Sequence, residues 1–182
     1  IILFSPHPDD DVISMGGTFS KLIKQGHDVH VVYQTSGNIA VTDDEALKFA
    51  EVCNDFMENE KCNINFQSTI DFLNNKKENQ IDSLEVRKLK GLIRRRESYA
   101  ATRYIGLKDE NTHFLDLPFY ETGQIKKNPL GKEDIAIVAD IIAKIKPHQV
   151  FAAGDLADPH GTHEVCLNAI FAAMKKLKSQ PY

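Results

Sequence analysis

The sequence of 182 residues lacks the features that mark several classes of protein. Its three cysteines, Cys53, Cys62 and Cys166, have no paired motif spacing, so we expect reduced thiols rather than a disulfide framework. No apolar run approaches the length of a transmembrane helix and no signal peptide is visible, so we expect no membrane span. These absences predict a cytoplasmic protein. Because the chain begins inside an apolar run rather than at a methionine, we also expect a domain excised from a longer chain.

Basic residues are not in excess, and a dinucleotide-binding signature is missing. With 22 lysines and arginines against 26 acidic residues, the formal net charge of −4 gives no support to a nucleic-acid partner. No Gly-x-Gly-x-x-Gly follows the first predicted strand, which argues against a dinucleotide-binding domain. A chain of this length buries roughly 70% of its unfolded surface, so the fold needs no disulfide to stabilise it.

An apolar run at the start of the chain ends in a histidine and three consecutive carboxylates. The run from Ile1 to Phe4 is unbroken, which predicts a short buried strand. Pro6 and Pro8 end the strand, and Pro8 keeps the preceding His7 out of the α region, while helical spacing begins directly after Asp9–Asp11. These side chains therefore belong to a loop at the carboxyl end of a strand, which is where open α/β sheets bind their ligands.

Two readings of this acidic loop are open. One aspartate could cap the following helix, because a helix N-terminus stabilises a negative charge by roughly 0.3–1 kcal/mol. Capping explains neither three carboxylates nor the adjacent imidazole, whereas a bound cation explains both. Imidazole nitrogen and carboxylate oxygen are normal zinc ligands, and a catalytic zinc site needs three protein ligands. His7 and Asp10 are close enough in sequence to hold one ion, so a third ligand should come from a distant loop.

A second loop rich in histidine and aspartate follows the apolar run Val150–Ala153 and opens the last predicted helix. Its His160 and His163 are three residues apart, so at a helix start they could face one direction. A His-x-x-His pair alone is more typical of surface or capping chemistry. If both strands belong to one parallel sheet, both loops emerge at the same edge, and the two clusters together favour a metal site.

The alternation of strands and helices predicts a Rossmann-like three-layer α/β/α domain with a mostly parallel sheet, formed by residues 1–182 as a single domain. Thr42 and Glu45 have the spacing of a capping box at the start of a helix. Ile64 and Phe66 could form a short strand. The predicted helices before the last one span about residues 11–25, 42–59, 83–105 and 132–146.

In the long helix before Gly106, Ile93 and Tyr104 share an apolar face, and Glu97 falls within that stripe. A buried carboxylate is costly unless it is paired, so we expect Glu97 to interact with Arg94 one turn earlier.

Two stretches resemble the signature motifs of the LmbE-like, or PIG-L-like, zinc-dependent de-N-acetylases, which remove acetyl from N-acetylglucosamine-containing substrates. They are Pro6-His7-Pro8-Asp9-Asp10-Asp11 and His160-Gly161-Thr162-His163. The resemblance runs from Ile1 to about Glu164. It implies that His7, Asp10 and His163 hold zinc, or another divalent metal. It also implies that Asp9 is the general base and that His160 assists the developing oxyanion or the leaving amine.

The same resemblance suggests substrate-contacting residues. Arg94-x-x-Glu97 followed by Gly106 is similar to a family motif whose arginine reaches substrate hydroxyls, although an ion pair with a structural role explains it equally well. Arg95 and Arg96 leave the register of this motif open. Asp116 stands where the family places a substrate-contacting acid, and its alternative reading is a turn residue before a proline.

These expectations describe a metal-dependent hydrolase that removes acetyl from an N-acetylated amino sugar. The alternative is a regulatory or sugar-binding domain attached to a glucosamine-6-phosphate deaminase, because the sequence from Ser5 to Thr18 resembles LmbE-like domains fused to that enzyme. A fused deaminase domain is therefore an expected partner, and a homo-oligomer is left open. A metallophosphoesterase would want a second metal site, for which spare ligands are too few.

Overall fold

The computed structural model describes residues 1–61, 65–124, 126–155 and 157–178. Four strands form one parallel sheet in the order β3-β2-β1-β4. The strands are β1 Ile2–Ser5, β2 His30–Tyr33, β3 Thr112–Phe114 and β4 Val150–Ala152. The helices are α1 Asp10–Lys24, α2 Asp43–Asn59, α3 Gln67–Asn74, α4 Leu84–Tyr104, α5 Lys132–Ile145 and α6 Thr162–Lys178.

Both faces of β1 are buried, which explains its unbroken apolar sequence. Ile2 packs in one core cluster with Val138 of α5 and Ala169 of α6. Leu3, the next residue, packs in a second cluster with Phe19 of α1. Successive side chains of a strand point to opposite faces, so helices cover the sheet on both sides. The predicted three-layer α/β/α fold with a parallel sheet is confirmed.

The helices on the two faces also determine where a ligand can bind. The helix that follows β1 covers one face, whereas α5, which leads into β4, covers the other. The strand order therefore changes direction between β1 and β4, and a crevice opens at the carboxyl ends of such strands. Both loops that carry the histidine and aspartate clusters leave the sheet at this edge, because β1 and β4 are parallel.

Local predictions succeeded where one short motif decides the structure. Thr42 caps α2, and its hydroxyl accepts a hydrogen bond from the backbone N–H of Glu45 at 3.1 Å.

The predicted strand on Ile64 and Phe66 is wrong at Phe66, which precedes α3, and Ile64 lies outside the described residues. The helix α3 was missed because it has eight residues, too few for its periodicity to stand out.

The predicted apolar stripe of α4 is also wrong in part. Ile93 is buried, but Tyr104 is 91% exposed and Glu97 is exposed as well. Polar side chains take the buried positions instead. The ammonium of Lys90 donates to Asp43 at 2.6 Å and to Asp82 at 2.8 Å. Pairing of this kind lets charged groups lie inside a protein, so hydrophobicity alone mispredicts the buried face.

The chain divides into two compact units. The first contains residues 1–36, 95–122 and the described residues from 126 onward, and it holds the whole sheet. The second consists mainly of residues 37–94, with α2, α3 and the start of α4 around Val41, Leu73 and Val86. The prediction of one domain over residues 1–182 stays a prediction.

Within the described part of the chain, none of the helices combines the length and the apolar character that crossing a bilayer requires.

Two histidines on neighbouring strands predict a pH dependence of stability. Nδ1 of His30 lies 3.0 Å from Nε2 of His113, and Asp28 lies 3.5 Å from His30. Burial, together with the nearby charges of His30 and Lys144, lowers the pKa of His113 below its ordinary value of 6.5. As pH falls below about 6.5 the unfolded chain therefore binds a proton before the folded chain does, and the free energy of unfolding should decrease. The decrease should stop once the pH is below the pKa of folded His113.

Urea unfolding of the wild type and of His113→Asn at pH 7.5, 6.5 and 5.5 tests this expectation. The wild type should lose more stability than the variant between pH 6.5 and 5.5. Equal losses in the two proteins would show that His113 does not cause the dependence.

Candidate metal centre and active site

The loop between β1 and α1 is held in shape by a buried hydrogen-bond network. The hydroxyl of Ser5 donates to the carbonyl of His7 at 2.6 Å and accepts from the backbone N–H of Asp11 at 3.0 Å. The Asp11 carboxylate accepts from the Tyr33 hydroxyl at 2.9 Å. Burial raises the pKa of Asp11, and the hydrogen bonds from Tyr33 and Ser5 only partly oppose that rise. Asp11 therefore anchors the start of α1 to β2.

Three side-chain atoms from the two loops form a nearly equilateral triangle. His7 Nδ1 lies 3.2 Å from Asp10 Oδ2, and His163 Nε2 lies 3.3 Å from each of these two atoms. His7 comes from the loop after β1, Asp10 is the first residue of α1, and His163 lies in the first turn of α6. Together they form a group that could hold a metal ion, and within the described residues no second group of this kind occurs.

The size of the triangle fits a tetrahedral ion. Ligand atoms about 2.0–2.1 Å from a zinc ion and separated by the tetrahedral angle lie about 3.3–3.4 Å from one another. Burial would raise the pKa of Asp10, but hydrogen bonds from the side chain and backbone of His7 and the charge of His163 outweigh it, so the pKa is lowered. The carboxylate is therefore ionised at neutral pH, as a metal ligand must be.

Asp9 lies beside the triangle in sequence but contributes no atom to it. It is exposed and occupies the N-cap position of α1, yet its side chain makes no capping hydrogen bond. The capping interpretation is therefore wrong for Asp9. What holds the first turn is the backbone, since the Asp9 carbonyl accepts from Val12 and Ile13 at 2.9 Å each.

Asp158 organises the second loop and was missed in the sequence. One carboxylate oxygen lies 3.0 Å from Nδ1 of His160 and accepts from the His160 backbone N–H, and the other accepts from the N–H of His163 at 3.2 Å. Burial raises its pKa, but these hydrogen bonds outweigh burial and lower the pKa to about 2. An aspartate just before the start of a helix, followed by proline, is a typical acceptor for first-turn N–H groups and could have been noticed.

His160 stays outside the triangle, and its side chain is 72% exposed. It lies in the turn before α6, three residues before His163. Spacing alone left the two histidines equivalent, whereas the family resemblance implied different roles, and in the structure only His163 lies in the group that could hold a metal ion.

Charged and polar side chains gather where β2 and β3 end. Asp116, two residues after β3, pairs with Arg95 and has a backbone φ of 45°, in the left-handed region. The Glu121 carboxylate accepts from the backbone N–H of Ser36, the third residue after β2, at 3.1 Å. Burial raises the pKa of Glu121, only partly opposed by its hydrogen bonds from Ser36. This group, Asp116, Arg95, Glu121 and Ser36, is called the polar edge below.

An aromatic ring packs against the metal triangle. The Tyr120 ring lies edge-on to the imidazole of His7 with 5.7 Å between centroids, and the ammonium of Lys127 lies 3.8 Å from the same ring.

Arg94, the arginine singled out from the sequence, belongs to the second unit, and Arg95 is the one that pairs with Asp116.

Comparison with known proteins agrees with this geometry. A family described as PIG-L, GlcNAc-PI de-N-acetylase, matches residues 2–174. A protein of Bacteroides thetaiotaomicron, named as glucosamine-6-phosphate deaminase-like, is 50% identical over 186 residues. The match covers 99% of this chain and 28% of that relative, so the chain spans little more than a quarter of the relative's length. Because the family match extends over nearly the whole chain, from β1 into α6, this protein belongs to the PIG-L family of de-N-acetylases.

Proposed function

We propose that this chain is a metal-dependent hydrolase that removes the acetyl group from an N-acetylated amino sugar of the N-acetylglucosamine type. The observation that carries the proposal is the triangle of His7, Asp10 and His163, whose 3.2–3.3 Å sides suit a tetrahedral ion. Membership of a de-N-acetylase family supports the reaction type.

Two imidazoles and one carboxylate are a donor set typical of catalytic zinc, so we propose zinc held by these three residues. Such an ion would act as a Lewis acid that polarises the amide carbonyl and acidifies a water molecule. Other divalent metals accept the same ligands, and the geometry of the triangle does not favour any of them over zinc.

Asp9 is the general base in this proposal. It is adjacent to the ligand Asp10, exposed, and outside the metal triangle, so its carboxylate can accept the proton of the attacking water and return it to the leaving amine. His160 has one ring nitrogen held by Asp158, which leaves Nε2 as the atom able to donate to the tetrahedral oxyanion.

Sugar hydroxyls would be bound by Asp116. Oδ1 of Asp116 is buried and has no hydrogen-bond partner among the described residues, while the carboxylate is oriented by Arg95. A buried unpaired acceptor beside a candidate active site is suited to a hydroxyl donor from a ligand. The left-handed backbone of Asp116 supports this role, since strained residues concentrate at functional sites.

Removal of Asp158 should impair turnover through the two histidines that it orients. We expect Asp158→Ala to lower kcat/KM by about 10–100-fold, the usual effect of losing a residue that orients a metal ligand. Asp158→Asn can still accept one of these hydrogen bonds and should lose less. Glu164→Ala is the matched control, because Glu164 is an exposed acid next to His163. Steady-state kinetics that show the same loss in Glu164→Ala, or none in Asp158→Ala, would contradict the role.

The proposal is tested by acetate release from N-acetylated amino sugars and their phosphates, with the bound metal measured in the same samples. Metal at one ion per chain and acetate release that stops with a chelator are the expected results. A folded, metal-loaded protein that is inert toward the whole panel would refute the hydrolase.

A second candidate function, a sugar-binding domain attached to a deaminase, is favoured by the name of the Bacteroides relative. A domain that only binds sugar has no need of a base beside the metal ligands. It would bind the amino sugars of the panel without releasing acetate, and Asp9→Asn would leave that binding unchanged.

A further inference from the structure

A cavity of about 440 Å³ lies beside the metal triangle, at the carboxyl ends of β1 and β4 and the start of α1. Asp10 and His163 of the triangle form part of its wall. Much of the remaining wall is apolar, formed by Leu3, Phe4, Ile13, Met15, Ala152 and Ala153. This cavity, called the apolar pocket below, lies entirely within the first unit.

Two acidic side chains of the apolar pocket already have hydrogen-bond partners within the protein. Asp11 accepts from the Tyr33 hydroxyl, and the carboxylate of Asp155 accepts from the backbone N–H of Ala157 at 3.0 Å. Apart from the metal triangle, Ser14 is the remaining polar side chain of the wall. A sugar ring carries several hydroxyls, each of which needs a partner when it leaves water, so this pocket is poorly suited to the sugar.

The groups suited to a sugar lie on the other side of β1. The polar edge follows β2 and β3, whereas the apolar pocket lies between β1 and β4, and β1 is the strand between β2 and β4. The amide bond of such a substrate joins two parts, the amine with its sugar and the acyl group. If the sugar lies toward the polar edge, the acyl part points toward the apolar pocket.

We propose that the apolar pocket binds the acyl part of the amide and accepts acyl chains of at least four carbons, so that acetyl is not the upper limit of the substrate class. This inference rests on the proposed hydrolase function. The methyl of an acetyl group is about the size of one water molecule, whose share of liquid volume is roughly 30 Å³. A pocket of about 440 Å³ can therefore hold a considerably longer chain.

The first test compares N-acetyl-, N-propionyl- and N-butyrylglucosamine as substrates of the metal-loaded protein. Each further buried CH₂ contributes about fourfold to binding, so kcat/KM for the butyryl amide should equal or exceed that for the acetyl amide. A lower value for the butyryl amide than for the acetyl amide would overturn the inference and leave the proposed hydrolase intact.

The second test measures the pocket without turnover. Hydroxamates of two and four carbons bind metal and carry an acyl chain, and they can be titrated calorimetrically into the metal-loaded protein. Affinity should rise about fourfold per CH₂. A rise without cleavage of any amide would support the pocket while refuting the hydrolase, and an affinity independent of chain length would overturn the pocket.

Two variants test whether the dependence on acyl-chain length arises from the wall of the apolar pocket. Ala153→Leu fills the pocket and should reduce the butyryl-to-acetyl ratio of kcat/KM and of hydroxamate affinity by about tenfold, because the two extra CH₂ groups contribute about fourfold each. Val12→Ala removes a half-exposed apolar side chain next to Ile13 that does not line the pocket, and it should leave the ratio unchanged. An unchanged ratio in Ala153→Leu, with folding verified by circular dichroism, would contradict the proposal.

Discussion

Asp9→Asn should keep the fold and the metal of this protein and lose turnover by about 10²–10⁴-fold, the usual contribution of a positioned general base. The fold should survive because Asp9 is exposed and its side chain does not cap α1. The metal should survive because Asp9 contributes no atom to the triangle. Elemental analysis, thermal unfolding and kcat on the best amino-sugar amide, measured together, separate these three expectations.

Asp10→Asn is the matched control, since it makes the same chemical change one residue later. An amide oxygen is a weaker ligand than a carboxylate, so this variant should lose metal and turnover together. If Asp9→Asn kept full turnover while Asp10→Asn lost turnover with its metal in place, the two roles would be exchanged.

His163→Ala should lose most of the bound metal, because it leaves two ligands where a catalytic site needs three. We expect less than one tenth of the wild-type metal after dialysis against a weak chelator, since losing even a residue that only supports a ligand costs about 10–100-fold in metal affinity. His163 also connects α6 to the loop after β1. Because a bound metal stabilises the folded state, the variant should have a lower melting temperature than the metal-loaded wild type.

His160→Ala provides the comparison for this second prediction. Its side chain is exposed and stands outside the triangle, so the variant should retain metal and lose turnover. Metal retained by His163→Ala and lost by His160→Ala would show that the ligand is the first histidine of the pair.

Several features of the fold could be predicted because they depend on neighbours in sequence. The unbroken run of β1 indicated a strand buried on both faces, and Thr42 with Glu45 indicated the start of α2. The two loops of the candidate site could also be placed, since parallel strands bring their carboxyl ends to one edge. What made these predictions possible is that periodicity and capping act over a few residues.

Periodicity and capping could not assign roles to the individual acids, and the roles of Asp9 and Asp10 came only from what the family resemblance implies. Asp9, Asp10 and Asp11 are adjacent and chemically identical, yet one is exposed, one lies against His7 and His163, and one is buried against Tyr33. Among the partners that distinguish Asp11 and Asp10 are Tyr33, 22 positions from Asp11, and His163, more than 150 positions from Asp10, which no local pattern can indicate.

The sequence by itself determined the parallel α/β architecture and the meeting of two His/Asp loops at one edge of the sheet, because strand burial and chain direction follow from local hydrophobic periodicity. Only the tertiary structure decided how close His163 comes to His7 and Asp10, and that Arg95 pairs with Asp116. It also placed an apolar pocket beside the triangle. These outcomes depend on distances of a few ångströms between side chains remote in the chain, which packing of the whole domain sets.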